Sequence, residues 1–288
     1  MAIPRKLVVG ALGLALVAAG TGVASAAQTR QSGGATTVTR HGIIPLRGHN
    51  APRADAGDLE YHDGPIQQSP AVYLVFWGRQ WKKDANGVQG YMTDFFTGLG
   101  QSDDQWSPVT SQYDGQGASP TFTGSVLQGV WVDSARNAPG HATADQIANE
   151  AMRGAAHFGL SADINLQIVV LSPHGTHPDG FNTPGAGFCA WHSIANGIPF
   201  TNQPYVLDAG GGCGADTVQG PLDGFSITGG HEFLEAVTDP DTGGGWFDAD
   251  GEENGDKCAW QNLHTIDLSS GSFAVQPTWS NAIHGCDG

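Results

Sequence analysis

The amino-acid sequence predicts an α/β fold, with α+β as the alternative: one sandwich-like domain whose central sheet is flanked by helices and whose Gly-rich C-terminal region is stapled by disulfides. Three observations predict it. Two runs, "AVYLVFWG" (71–78) and "INLQIVVLS" (164–172), are continuously apolar, rich in β-branched and aromatic residues and bounded by Pro or Gly, as buried strands are. A helical pattern precedes the second of them, and strands that alternate with helices pack as layered α/β structures. All four cysteines, Cys189, Cys213, Cys258 and Cys286, fall in the last hundred residues.

The chain opens with Arg5 and Lys6, then the apolar run "LVVGALGLALVAAG", then Ala24-Ser25-Ala26. A basic start, a short apolar core and a small-x-small cleavage pattern make residues 1–26 a secretory signal peptide. The run is broken by glycines and too short to span a bilayer, and no later segment is apolar enough for membrane insertion. The expected product is a secreted, extracellular protein. In that oxidising compartment an even cysteine count points to disulfides. Three pairings are open; Cys189–Cys213 with Cys258–Cys286 is preferred because each closes a short loop. A cysteine zinc site has no C-x-x-C spacing behind it.

Residues 27–56 read as a flexible basic arm or pro-segment, polar except for "GIIPL", with Arg30, Arg40, Arg47 and Arg53 and, up to Arg53, no acid. Residues 57–288 are expected to form one globular domain, long enough for a substantial core. Beyond the signal, 10 basic residues face 28 acidic ones, a net charge of −18. Such a surface repels nucleic acid and anionic lipid.

Within the domain, "VLQGVWVD" (126–133) is a third, weaker strand. "TADQIANEAMRGAAHFG" (143–159) is a helix: Thr143 and Gln146 make a capping box, Ile147, Ala151 and Ala155 share a face, and Gly159 stops it. A further helix is expected at "GVQGYMTDFFTGL" (87–99). The most informative stretch is "SITGGHEFLEAVTDP", a helix from about Ser226 to Val237 that must end before Asp239-Pro240. Phe225, Phe233 and Leu234 supply its apolar contacts. Gly229 and Gly230 weaken a helix, and close approach of a strand or a substrate to the backbone would explain them.

In that helix His231 and Glu235 stand one turn apart on one face, as two metal ligands must. Glu232 then occupies the place of the general base in an H-E-x-x-H zincin, acting on a water held by the metal. A carboxylate replaces the second histidine; it is a competent zinc ligand but leaves the metal a weaker Lewis acid. The third ligand is sought in "GWFDADGEENGDKC", which reads as a loop: Asp256 ranks just ahead of Glu253. The acidic run Asp248, Asp250 and Glu252 offers an additional site for Ca2+, without EF-hand spacing. His174 and His177 follow a predicted strand; His192, beside Cys189, ranks highest among the remaining histidines as a ligand or as the group that polarises a substrate carbonyl.

The blocks "YHDGPIQQSPAVYLVFWGRQW", "FFTGL", "SQYDG", "GFCAWHS", "PYVLDAGGGC", "EAVTDPDTGGGWF", "ENGDKC" and "PTWSNAIHGC" stand in the same order as in the EXORDIUM-like, phosphate-induced secreted proteins, which the chain resembles over about residues 60–288. The resemblance implies that family's fold and secretion, and it supports Cys258–Cys286. The plant members lack the H-E-x-x-E and are associated with cell-wall and growth responses. This chain resembles a bacterial branch that carries the motif, for which zinc metallopeptidase activity is implied. The expected function is therefore a secreted zinc-dependent hydrolase acting on a peptide or protein, with His231, Glu235 and Asp256 or Glu253 on the metal, Glu232 as base and His192 on the carbonyl. The alternative is a non-catalytic, cell-wall or glycan-associated protein using some of its eight tryptophans, Trp77, Trp81, Trp106 and Trp246 among them, to stack on sugars. A glycosidase needs a second carboxylate that cannot be placed, and no G-x-S-x-G surrounds any serine.

Overall fold

The computed structural model describes residues 38–48 and 57–288, together with Ala2; the expected signal peptide and most of the arm lie outside the described residues. The chain order is β1 (His41–Pro45), β2 (Glu60–Tyr61), β3 (Ala71–Trp77), α1 (Val88–Gly98), β4 (Leu127–Asp133), α2 (Ala144–Phe158), β5 (Leu166–Leu171), β6 (Phe188–Ala195) and β7 (Ile198–Gln203). Then follow α3 (Asp223–Thr238), β8 (Trp246–Phe247), β9 (His264–Leu268), β10 (Gly271–Val275), β11 (Thr278–Ser280) and β12 (Gly285–Asp287).

Six strands form one mixed sheet in the order β1-β6-β7-β5-β3-β4. β4, β3, β5 and β7 are parallel, and the continuous apolar runs of β3 and β5 match a sheet covered on both faces. β6 and β7 form a hairpin closed by Asn196-Gly197, both at positive φ, the conformation that pair of residues adopts most readily. Opposite faces carry different helices. A Cβ on Gly154 of α2 would press on Val75 and Ile168, whereas the neighbouring Gln167 donates to the Glu232 carbonyl of α3 on the other side. α1 packs on the α3 side through the edge-to-face pair Phe96–Phe233.

The elements form where local chemistry directs them. Thr143 and Gln146 close both hydrogen bonds of the capping box, Gly159 takes the left-handed conformation at the end of α2, and Ile147, Ala151 and Ala155 are buried. α3 begins at Asp223, three residues before the expected start, because the Asp223 carboxylate accepts the N–H groups of Val218, Gln219 and Gly220 and organises the turn ahead of it. A Cβ at Gly229 would lie 3.0 Å from Met92 of α1 and 3.3 Å from Gln203 Oε1 of β7, and one at Gly230 would lie 2.7 Å from Trp106. Their reason is the close seat of α1, β7 and the Trp106 turn.

Within the expected arm or pro-segment, residues 41–45 form β1. β1 pairs antiparallel with β6, and Ile44 is fully buried. The apolar pair in "GIIPL" outweighs the polar residues around it once a sheet edge is available. The Gly-rich C-terminal region contains the β9–β10 and β11–β12 hairpins. Cys189–Cys213 and Cys258–Cys286 are the two disulfides. Among the described residues no helix is long and apolar enough to cross a membrane.

Candidate metal centre

Every residue of α3 is buried, including His231, Glu232 and Glu235. A helix so placed must give each polar side chain a partner, since a buried polar group without one costs about 1–3 kcal/mol and a charged one more. Three other elements bring those partners. β6 presents His192 from the sheet face that α3 covers. The segment after β8 contributes Glu253 and Asp256, and Asn254 fastens it to α3 by donating to the Leu234 carbonyl and to Thr238 Oγ1. β1 then closes the edge, with His41 opposite His192.

The result is a buried cluster of two imidazoles and four carboxyl groups. His231 Nε2 lies 2.8 Å from Glu235 Oε1 and 3.5 Å from Asp256 Oδ1. His192 Nδ1 lies 3.2 Å from Glu232 Oε2 and 3.6 Å from Glu235 Oε2, and its Nε2 is 3.7 Å from Glu253 Oε2. The Asp256 N–H donates to Glu235 Oε1 at 2.9 Å. Within this cluster both ring nitrogens of His231, His192 Nε2, Glu232 Oε1, Glu235 Oε2 and Glu253 Oε2 are buried without a hydrogen-bond partner. Two glycines make room for it. A Cβ at Gly255 would lie 2.8 Å from Glu235 Oε1 and 2.9 Å from His231 Nδ1, and one at Gly42 would collide with Glu235 Oε2 and the His192 ring.

Charge is distributed unevenly over the carboxyl groups. Burial pushes Glu232 up to about 8 against the pull of His192 and His231. Burial acts the same way on Glu235, but His231 and His192 outweigh it and hold that carboxyl at about 2. Burial raises Glu253 and Asp256, and the Glu235 carboxylate raises both further. Burial disfavours both imidazolium forms, yet the surrounding carboxylates, Glu253 first for His192 and Glu235 first for His231, raise both rings well above the ordinary histidine value. Proton affinities pushed so far apart are shared by catalytic sites, metal sites and buried ion-pair networks.

Two ligand sets emerge: His231 with Glu235 and Asp256, and His192 with Glu232 and Glu235, each with donor atoms within 4.8 Å of one another. The donor chemistry, one imidazole and two carboxylates, suits a divalent transition cation. His192, His231, Glu232, Glu235, Glu253 and Asp256, expected as ligands or catalytic groups, converge here, with Asp256 beside His231 and Glu253 beside His192.

The other candidates go elsewhere. Asp248 accepts from the N–H groups of Asp250 and Glu252 and from Lys257 Nζ, so its oxygens serve the turn. His174 contacts Asp208, and His177 contacts the Phe181 carbonyl while stacking on His141. Trp77, Trp81 and Trp106 are core residues, and the half-buried Trp246 stacks on Tyr61. Sequence reasoning missed β1 and Gly42 as part of the site, and missed that His192 sits on a strand. The Asn196-Gly197 turn signal between two apolar stretches was the cue for the second.

Comparison with protein-family models, with curated proteins and with solved structures finds no match for this chain.

Proposed function

We propose that this protein is a secreted, zinc-dependent hydrolase and, in particular, a peptidase of an EXORDIUM-like branch. The observation that carries the reading is the set of buried, unpartnered nitrogens and oxygens of His231, His192, Glu232, Glu235 and Glu253 converging in one place. Six such atoms side by side call for partners, and a cation, with the water or substrate it holds, supplies them together. Zinc, when bound, supplies a Lewis acid that polarises the scissile carbonyl and acidifies a water.

The chain's own residues do the rest. His231, Glu235 and Asp256 hold the metal, and the Asp256 N–H keeps Glu235 Oε1 oriented. Glu232, oriented by His192 Nδ1 at its Oε2, accepts the proton at its free Oε1 and returns it to the leaving amine. His192 polarises the carbonyl through Nε2. Residues 27–56 act as a pro-segment whose β1 covers the cluster, since Gly42 lies against His192 and Glu235. Secretion is supported by the signal-peptide pattern and by two disulfides.

Casein hydrolysis by the secreted protein tests the reading, measured with the arm intact and after limited proteolysis. Activity is expected after proteolysis, inhibited by a zinc chelator, restored by zinc and absent from His231→Ala. Folded, zinc-loaded protein that cleaves nothing in either form would sink the peptidase assignment.

A further inference from the structure

We propose that the cluster binds two divalent cations, bridged by the Glu235 carboxylate: one held by His231, Glu235 Oε1 and Asp256, the other by His192, Glu232 and Glu235 Oε2. This rests on the metal-site reading above and changes its stoichiometry. The two oxygens of Glu235 face different histidines. Oε1 lies 2.8 Å from His231 Nε2, and Oε2 lies 3.6 Å from His192 Nδ1. Each histidine has its own second carboxylate, Asp256 at 3.5 Å and Glu232 at 3.2 Å. The two ligand sets therefore share Glu235 and nothing else.

Charge argues the same way. Glu232, Glu235, Glu253 and Asp256 bring four carboxylates into a site where Glu232 and Glu235 are wholly buried and Glu253 nearly so. The buried lysine, Lys257, is committed to Asp248 and offsets none of them. With both imidazoles neutral, as ligands must be, and the carboxyls ionised, one divalent cation balances two carboxylates and two balance all four. Unpartnered atoms occur at both loci: the His231 ring nitrogens at the first, and Glu232 Oε1 and Glu235 Oε2 at the second, where His192 Nδ1 is the facing nitrogen and His192 Nε2 turns away to Glu253. Each side has its own glycine, Gly255 against His231 and Gly42 against His192, so backbone approaches both loci where a side chain would intrude. Carboxylate-bridged pairs of this kind hold their ions about 3.5–4 Å apart.

The second cation reassigns two groups. Glu232 becomes a ligand rather than the proton acceptor. Glu253, with Oε2 buried and unpartnered beside His192, is the carboxylate left to move a proton.

Metal content per folded chain decides the matter, measured by plasma mass spectrometry after dialysis of the full secreted chain against zinc, with Glu232→Gln and His192→Ala in parallel. Two zinc ions in the wild type and one in each variant are expected, and the cobalt-loaded wild type should show a magnetically coupled pair that Glu232→Gln loses. One ion in the wild type, unchanged in Glu232→Gln, overturns the two-cation inference and leaves the single-metal site standing with Glu232 as its base. No retained metal overturns both. Wild-type stoichiometry alone separates these outcomes if a variant fails to fold.

Discussion

Lys257 shows how much a single residue can depend on its surroundings. Its ammonium is fully buried, donates to Asp248 Oδ2 at 2.6 Å and lies 4.4 Å from the centre of the Trp279 ring. Asp248 in turn holds the turn after β8 through two backbone N–H groups. Lys257→Met removes one charge and leaves the other buried and unpaired, a loss of about 3–5 kcal/mol; urea unfolding measures it. Glu150 is the opposite case. Burial pushes its carboxyl up to about 7 despite Arg153, which donates to it at 3.1 Å. The folded value lies above the unfolded one, near 4.5. Between the two the native chain holds a proton the unfolded chain has lost, so stability falls as pH rises through that window. Relative to the wild type, Glu150→Gln should therefore gain in Tm as pH goes from 4.5 to 8. A Tm difference that stays constant over that range contradicts the assignment.

At the scale of elements, β1 and α3 explain each other. α3 is buried on all sides because α1 and Trp106 close on Gly229 and Gly230, the sheet lies beneath it, and β1 and the Gly255 segment seal the polar end. β1 holds its place by pairing with β6 and by Ile44, while Gly42 permits contact with His192 and Glu235 and takes a positive φ of 43°. Gly42→Val puts a β-branched side chain into that contact and into a backbone region it disfavours. The strand should leave the edge: hydrogen exchange at residues 41–45 should accelerate at least tenfold, with the β6–β7 hairpin unaffected. Exchange unchanged from the wild type would mean that Gly42 does not hold the closed arrangement.

Over the whole molecule, stability is shared between one large core around the sheet and a small one around Leu59, Tyr113, Cys258 and Trp279. The second core is where the chain's C-terminal segment is tied down, and Cys258–Cys286 spans 28 residues across it. Replacing both cysteines by alanine should lower unfolding free energy by about 2–4 kcal/mol, because a closed loop of that length restricts the unfolded chain; the shift in urea midpoint reports it. Such a loss also loosens the segment that carries Glu253 and Asp256, so retained metal should fall with it.

By itself the amino-acid sequence determined the elements whose chemistry is local. The apolar runs made β3, β4 and β5, the Thr143–Gln146 box and Gly159 bounded α2, and the four-residue spacing of His231 and Glu235 put both on one face of α3. These are legible because strand and helix periods, caps and breakers act within a few residues. Only the tertiary structure decided which distant groups complete the cluster. Asp256 and Glu253 come from an irregular loop, His192 from a hairpin and Gly42 from a segment of arm composition, and nothing local distinguishes them from solvated residues. Their meeting depends on strand order, with β6 and β1 added beyond β7, and on hydrogen bonds from Asn254 that dock the loop on α3. Burial then does what no spacing can: it removes water from six ionisable groups at once, leaving their unpartnered atoms facing one another.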